Sequence, residues 1–261
     1  MYGYELRHTQ LANWKGKLVH TIFGETYPGH LVRFFINQRY FKKYAKKWDL
    51  RILEIGSNNG ALVFWLSRNR IHTVIGLEND KTFVKDCQQI GARINQLNLY
   101  FVCADACKEF PLKASFDIMF STHVLEHIPN DQAVLKNALK RLKPGGLLIL
   151  QVPYGDPHKS PSKEATKNGH VRDGYTESHL CQLLVNSGFE IISASGSVGR
   201  VGRFAYRFAR RVAKVRIIVN FSTLLFPITL ILLYLEKAVA SFRSREPSFR
   251  HGPLVVARRP L

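Results

Sequence analysis

The chain has 261 residues, of which 46% are hydrophobic. Its length fits one α/β domain with an insertion better than two full domains, and a core of this size is stable without disulfide bonds or a structural metal. The four cysteines (Cys87, Cys103, Cys107 and Cys181) lack zinc-ligand spacing, and no apolar leader is visible; both observations argue against a secreted, disulfide-bonded protein and favour a reducing compartment. The formal net charge of +19 indicates a polyanionic partner, either nucleic acid or an anionic membrane surface.

The predicted elements begin with a helical extension and continue as alternating strands and helices. Residues 1–48 mix aromatic and basic side chains, and the apolar spacing from 31 to 44 is helical. Strands are predicted over residues 50–55, 73–77, 99–103, 116–121, 147–152 and 189–194. Helices are predicted over residues 61–70, 80–90, 131–142 and 176–186, with Asp80 and Thr176 as N-caps. This alternation predicts a parallel sheet with helices on both faces and ligands at the carboxyl ends of its strands.

After the sixth predicted strand the composition changes. From residue 198 to the end, thirteen Lys and Arg stand against two acids, which gives +11 of the total +19. Residues 200–216 and 237–250 are basic, whereas residues 217–235 contain no charged side chain. This uncharged run approaches the roughly twenty residues of a membrane-spanning helix. A short apolar run follows at residues 253–257.

A glycine-containing turn, EIGSNNG at residues 54–60, follows the first strand and opens the first helix. Glycines are needed where the backbone turns tightly and approaches a ligand closely. Glu78 ends the second strand about twenty residues later, where a carboxylate can accept hydrogen bonds from ribose hydroxyls. Nicotinamide dinucleotide sites use similar residues, so the turn and the acid alone leave the cofactor open.

The whole series of segments resembles the class I SAM-dependent methyltransferases, in the small-molecule, methyltransferase type 11-like group that includes quinone-biosynthesis enzymes (SAM is S-adenosylmethionine). The matching segments are LEIGSNNG at 53–60, GLEND at 76–80, ADA at 104–106, FDIMFSTHVLEHIP at 116–129, LKRLKPGGLLILQVP at 139–153 and YTESHLCQLLVNSGFE at 175–190. The resemblance implies a Rossmann-like, seven-stranded, mostly parallel sheet. Its last strand, at residues 253–257, is expected to lie antiparallel beside the sixth.

The resemblance also implies the roles of residues that bind SAM. Glu54 is expected to reach the SAM amino group, Glu78 to accept from the ribose hydroxyls and Asp105 to accept from the adenine amine. Ser121 to His123 are expected to close the floor beneath the methionine part. The expected cofactor-binding residues are Glu54, Gly56, Ser57, Asn58, Gly60, Glu78, Asn79, Asp105, Ala106, Thr122 and His123. Because Asn58 replaces the middle glycine of the commoner turn, it is expected to avoid a strongly positive φ.

Three histidines are candidates for the catalytic base that an oxygen or nitrogen acceptor needs. They are His123, His127 and His170, and the alternative role for His127 is a structural cap or partner of Glu126. His170 and Arg172 lie in a loop, residues 154–175, that is expected to cover the substrate, and Arg172 either holds an anionic substrate group or is solvated. Imidazole and carboxylate are ligands for divalent metals. His123, Glu126 and His127 bring three possible ligands together, and His170 is a fourth candidate. Because His123 replaces the first glutamate of a related Glu-x-x-Glu-His magnesium motif, no metal ligand is assigned.

The uncharged run is predicted to associate with a membrane without crossing it once, because the last strand must return to the sheet. A kink or helical hairpin at Pro227 would dip into one leaflet, and the basic flanks favour both ends on the cytoplasmic face. The alternative is a buried apolar helix of a lid. The predicted domains are therefore an N-terminal helical extension at 1–48, a SAM-binding domain at 49–199 and 250–261, and a membrane-associating helical insertion at 200–249.

The predicted function is a cytoplasmic SAM-dependent methyltransferase, peripheral or monotopic on the inner face of the membrane. Its acceptor is expected to be a small molecule or a lipid-linked group at an anionic membrane surface. The first alternative is an RNA methyltransferase that binds phosphates with its basic surface; nucleic acid is the less favoured partner, because RNA binding leaves the uncharged run unexplained. The second alternative is a non-catalytic SAM-fold membrane adaptor. The acceptor atom and the oligomeric state stay open.

Overall fold

The computed structural model describes residues 28–45, 48–196 and 252–261. Its helices and strands, in chain order, are α1 (Pro28–Tyr44), β1 (Arg51–Ile55), α2 (Ala61–Leu66), β2 (Thr73–Glu78), α3 (Lys81–Arg93), β3 (Leu99–Cys103), β4 (Phe116–Thr122), α4 (Asp131–Arg141), β5 (Leu142–Gln151), α5 (Lys163–Lys167), α6 (Glu177–Asn186), β6 (Glu190–Gly196) and β7 (Pro253–Arg258). The predicted membrane-associating insertion, residues 200–249, lies outside the described residues.

The strands form one seven-stranded sheet in the order β3-β2-β1-β4-β5-β7-β6. Strands β1 to β5 pair in parallel, whereas β7 pairs antiparallel with both β5 and β6. This arrangement confirms the predicted Rossmann-like fold with an antiparallel last strand. The chain moves outward from β1 to β3 and then returns to the other side of β1 at β4. Ligands of open α/β sheets bind at such a reversal of strand order.

Two hydrophobic cores cover the two faces of the sheet, because successive side chains of a strand point to opposite faces. Ile52 belongs to the core that packs against α1, α2 and α3, whereas its neighbour Leu53 belongs to the core that packs against α4 and α6. Both side chains have no exposed surface. Burial of each contributes roughly 1.5–3 kcal/mol to folding. The predicted placement of helices on both faces is therefore confirmed.

The helix starts follow the predicted capping residues. Asp80 accepts hydrogen bonds from the backbone N–H groups of Thr82 and Phe83 at the start of α3. Thr176 accepts from the N–H of His179 at the start of α6. These contacts satisfy donors that the first helical turn leaves without intrahelical partners.

Two element boundaries differ from the sequence prediction by more than three residues. The helix predicted to reach residue 70 ends at Leu66 and continues as a 3-10 turn, Ser67–Asn69, before Arg70 adopts a left-handed conformation with φ of 58°. Strand β5 begins at Leu142 instead of residue 147. The Lys-Pro-Gly-Gly segment ends α4 as predicted and lies where the β4–β5 register shifts, between the pairs Phe116–Leu142 and Ile118–Leu147.

Helix α1 lies across the sheet and joins its two halves. Phe41 packs edge-on against the rings of Trp65 and His72, next to β1 and β2. The Tyr40 hydroxyl is 3.0 Å from the Ser195 hydroxyl on β6. The described part of the N-terminal extension is thus a helix, as predicted, and it is part of the domain's own core.

Within the described ranges, none of the helices combines the length and the apolar composition that crossing a membrane requires. The uncharged run at residues 217–235 falls outside those ranges.

Candidate functional site

The turn after β1 contains three left-handed residues, namely Gly56 (φ 71°), Asn58 (φ 45°) and Gly60 (φ 73°). A Cβ atom on Gly56 would collide with a methyl group of Val124, so glycine at this position allows the segment after β4 to pack on the turn. Asn58 does adopt a positive φ, although the sequence analysis expected a non-glycine residue here to avoid a strongly positive value. Asparagine is one of the few non-glycine residues that adopt this conformation readily, and it therefore replaces the middle glycine without changing the path of the turn.

Glu78 holds this turn against the end of β2. Its Oε2 atom accepts a hydrogen bond of 2.8 Å from the Asn58 N–H, and its Oε1 atom accepts from the N–H groups of Asn79 (2.9 Å) and Asp80 (3.0 Å). A carboxylate has about four acceptor positions, so one remains for a ligand hydroxyl. The Glu78 carboxylate therefore brings the predicted site residues Asn58 and Asn79 together.

Buried polar atoms without partners mark the reversal of strand order. Among the described residues, Glu54 Oε2, Ser57 Oγ, Ser121 Oγ and Gln151 Oε1 are buried and accept or donate no hydrogen bond. They belong to the ends of β1, β4 and β5 and to the turn, and Ser121 pairs with Ile55 across the sheet. Each unsatisfied buried polar group costs about 1–3 kcal/mol. A polar ligand at this edge would provide the missing partners, and the residues present fit SAM in this respect.

The carboxyl group of Glu54 has an unusual affinity for protons. Burial, and to a smaller extent the nearby Glu78 carboxylate, raise the pKa of Glu54 to about 8. A cationic group placed beside Glu54 would favour its charged form and lower this pKa.

Asp105 and Ala106 follow β3 at the same edge of the sheet. Asp105 is exposed, and its Oδ1 atom accepts a hydrogen bond from the Cys107 N–H at 2.9 Å. Ala106 is buried, and its carbonyl accepts from the Asn137 side chain at 3.0 Å. The sequence did not point to Asn137, because this contact joins residues 31 positions apart.

The end of β4 is joined to α1 by a residue that the sequence analysis missed. Asn37 is 3% exposed, and its Nδ2 atom donates to Thr122 Oγ1 at 3.0 Å. A polar residue on the otherwise apolar face of the predicted helix was the signal that could have identified it. His123 follows with a φ of 56° and donates its backbone N–H to the Gln151 carbonyl at 2.8 Å.

The structure brings two of the three candidate catalytic histidines together, whereas the third makes a different contact. The rings of His127 and His170 meet edge-on with their centroids 4.5 Å apart, and His127 is exposed. His123 instead turns its Nδ1 atom toward Glu126 Oε1 at 3.3 Å. Burial opposes ionisation of Glu126, but the hydrogen bond and charge of His123 outweigh it and lower the pKa of this carboxyl.

Arg172 is neither solvated nor available to a substrate anion. Its guanidinium donates to three backbone carbonyls in the segment 125–129, at 2.8 to 3.0 Å. It also forms an ion pair with Asp131 at 3.1 Å and donates to the Tyr175 hydroxyl at 2.6 Å. Burial and the adjacent Asp131 carboxylate raise the pKa of Tyr175 well above its ordinary range. Both interpretations of Arg172 from the sequence are corrected: it fastens the loop at 154–175 to the segment that carries His127.

The comparison with known protein families decides the assignment. A family model described as a methyltransferase domain matches residues 53–150, the stretch that contains the turn, Glu78, Asp105 and the histidine segment. This match confirms the predicted resemblance to the SAM-dependent methyltransferases over residues 53–150, and the cofactor it implies is SAM.

Similar proteins share this methyltransferase domain. A ubiquinone biosynthesis O-methyltransferase from Coxiella burnetii is 27% identical over 126 residues, which cover 48% of this chain and 53% of the relative. A tRNA U34 carboxymethyltransferase from Ruthia magnifica is 31% identical over 111 residues, covering 42% of this chain and 35% of the relative. The chain thus spans about half or less of the length of these relatives.

A solved methyltransferase has the same fold. The structure of Haemonchus contortus phosphoethanolamine N-methyltransferase 2, in complex with phosphomonomethylethanolamine and S-adenosylhomocysteine, matches all of this chain and 60% of the other, with a TM-score of 0.65 and 17% identity. At this identity the likeness shows the fold of the methyltransferase domain.

Proposed function

We propose that the protein binds SAM at the carboxyl ends of β1, β2 and β4 and transfers its methyl group to a small-molecule or lipid-linked acceptor. The observation that carries this proposal is the set of buried polar atoms without partners at the reversal of strand order, among them Glu54 Oε2, Ser57 Oγ and Ser121 Oγ. They lie beside a turn that Glu78 holds in the conformation described above.

The residues of the turn and the strand ends have distinct tasks in this proposal. Glu54 pairs with the amino group of SAM, and Glu78 accepts from the ribose hydroxyls while it keeps the turn closed. Asp105 accepts from the adenine amine. Gly56 and Gly60 allow the turn to pack closely on Val124 and Phe101. Thr122 and His123 line the site beneath the methionine end of SAM.

Bound SAM supplies an electrophilic methyl group on a sulfonium, so the protein's contribution is mainly to position the acceptor in line and exclude water. We assign this acceptor side to the segment of His123, Glu126 and His127 together with the loop at 154–175. Arg172 holds these two segments together. His127 and His170 are the polar groups there that can accept the proton of an oxygen or nitrogen acceptor or orient that atom.

A membrane-associated acceptor is supported by the sequence of the insertion. The uncharged run at 217–235 and its basic flanks fit a segment that dips into an anionic leaflet. The C. burnetii relative is named for ubiquinone biosynthesis, and a quinone-like acceptor would be found in such a leaflet.

RNA is the second candidate acceptor. It is favoured by the net charge of +19 and by the tRNA-modifying relative. Binding through phosphates would make affinity fall steeply with salt.

One labelling experiment separates these acceptors. Cell lysate is fractionated into membrane lipids, soluble metabolites and RNA, and each fraction is incubated with the protein and SAM labelled in its methyl group. The proposal expects label, and a mass increase of about 14 daltons for the added CH2, in a lipid or soluble metabolite. Label confined to RNA would replace the small-molecule acceptor by RNA. No formation of S-adenosylhomocysteine with any fraction would contradict methyl transfer.

A further inference from the structure

Three ligand-type side chains converge where the loop at 154–175 meets the segment after β4. One donor atom each from Glu126, His127 and His170 lies within 4.8 Å of the other two. Glu126 is 1% exposed, and its Oε2 atom has no hydrogen-bond partner among the described residues. A buried carboxylate oxygen is costly unless a cation or a donor satisfies it.

Neighbouring groups prepare these side chains for a cation. The Nδ1 atom of His127 lies 3.2 Å from the Gly169 carbonyl. Because a carbonyl only accepts, Nδ1 must be the protonated nitrogen, which leaves the lone pair on Nε2. His123 contacts Glu126 Oε1 and so fixes the orientation of the carboxylate. Metal sites commonly have such outer contacts, which set the tautomer of a ligating imidazole and the direction of a ligating carboxylate.

The backbone frame that holds the cluster is itself well connected. The N–H of Val171, the residue after His170, donates to the Glu126 carbonyl at 2.9 Å. One residue further, Arg172 binds carbonyls on both sides of His127. The cluster is therefore built by two segments more than forty residues apart, which the Arg172 contacts keep in register.

We propose that Glu126, His127 and His170 bind a divalent transition-metal ion. Two imidazoles and one carboxylate suit zinc and its neighbours in the first transition row better than magnesium or calcium, which prefer oxygen ligands. Metal–ligand bonds of roughly 2.0–2.2 Å require the three donor atoms, which now lie within 4.8 Å of one another, to move closer together when the ion binds. The exposure of His127 leaves a coordination position open to an acceptor.

The site extends the function proposed above and rests on it in one respect only. If methyl transfer occurs here, the cation would hold the oxygen or nitrogen atom of the acceptor on the acceptor side of the cofactor site. Binding of the metal does not depend on this. The sequence grouped His123, Glu126 and His127, with His170 as a fourth candidate, but assigned no metal ligand because His123 replaced the first acid of the related motif. The structure brings Glu126, His127 and His170 together and places His123 beside Glu126 as an orienting contact.

The test measures metal binding by the full chain without SAM. Protein treated with EDTA is titrated with Zn²⁺ by calorimetry, and Co²⁺ is added separately to record its visible absorption. The variants are His170→Ala and the isosteric Glu126→Gln. His158→Ala is the matched control, because His158 is an exposed histidine in the same loop and pairs with His179 instead. Thermal melting verifies that each variant is folded, and SAM affinity is measured in a parallel titration.

The proposal expects each wild-type chain to bind one Zn²⁺ ion through this cluster. Both variants should weaken Zn²⁺ binding at least about tenfold, because loss of even an outer contact of a metal site typically weakens metal binding by that factor. The control should bind Zn²⁺ as wild type does. If Glu126→Gln does not fold, His170→Ala alone decides. Equal Zn²⁺ binding by wild type and His170→Ala, or no binding by wild type, would overturn the site. Neither result changes the SAM affinity that the parallel titration measures, so failure of the metal site is distinguished from failure of the proposed function.

Discussion

At the scale of single residues, Glu54 couples cofactor binding to pH. Its pKa of about 8 lies above the ordinary value of 4.5, so the buried carboxyl is protonated near neutral pH in the free protein. Its contribution to stability is fully present below pH 4.5 and is lost as the pH rises toward 8, by up to about 1.4 kcal/mol per pH unit. The amino group of SAM would favour the carboxylate and expel the proton.

We therefore expect SAM binding at pH 7 to release a proton from Glu54. Calorimetric titrations in two buffers with different ionisation enthalpies measure this release, and Glu54→Gln should reduce it. Urea unfolding at pH 5 and pH 8 provides the second readout, because wild type should lose more stability over this interval than Glu54→Gln. Equal pH dependence of wild type and variant in both measurements would show that Glu54 does not titrate in this range.

Asn58 offers a prediction about backbone conformation. Because its φ is 45°, alanine at this position should be less stable than glycine by about 1 kcal/mol, the cost of a left-handed conformation for a residue with a Cβ atom. Urea unfolding of Asn58→Ala and Asn58→Gly measures the difference. The same pair at the exposed Asn168, where φ is −90°, should not favour glycine. Alanine as stable as glycine at position 58 would contradict the conformation of the turn.

At the scale of elements, the contacts of Arg172 fasten the covering loop to the segment between β4 and α4. Arg172→Ala removes the partner of the largely buried Asp131 and three carbonyls. We expect a loss of about 2–4 kcal/mol in the free energy of unfolding, because groups that remain buried lose their partners. Arg258→Ala breaks the exposed pair with Glu190 and should cost at most about 1 kcal/mol. Similar losses for both variants would show that the Arg172 contacts are not a structural anchor.

The sequence predicted the sheet well because the strands carry local signals. Buried apolar runs, ended by glycine or an acid, placed the strand ends within one or two residues for most strands. The start of β5 was missed, because the glycines that follow α4 continue as extended backbone and exchange hydrogen bonds with Arg259. Topology then placed Glu54, Glu78, Asp105 and Thr122 at one edge.

The contacts that complete the site were not predictable in the same way. The Asn37–Thr122 hydrogen bond joins residues 85 positions apart, and the Tyr175–Asp131 bond joins residues 44 positions apart. No local pattern specifies which polar side chains will meet across such distances. The role of Arg172 was missed for the same reason, since its partners lie in another segment of the chain.

At the scale of the whole molecule, the charge of the C-terminal quarter favours an anionic surface. Each basic residue near such a surface contributes about 1 kcal/mol to binding at low salt. We expect the full chain to sediment with vesicles that contain anionic lipid and much less with neutral vesicles. Deletion of residues 203–243 should abolish sedimentation with the anionic vesicles. If the deletion variant sediments as much as the full chain, the insertion has no role in membrane binding.

SAM binding at the turn is the central claim, and calorimetry with matched variants tests it most directly. Wild type should bind SAM with one site per chain. Glu78→Gln should weaken binding at least about tenfold, because a neutral amide exchanges an acceptor for a donor at a position that receives three N–H groups. Glu177→Gln, at an exposed glutamate on α6, should bind as wild type does. Absence of SAM binding by wild type, or equal affinity of wild type and a folded Glu78→Gln, would contradict the proposed site.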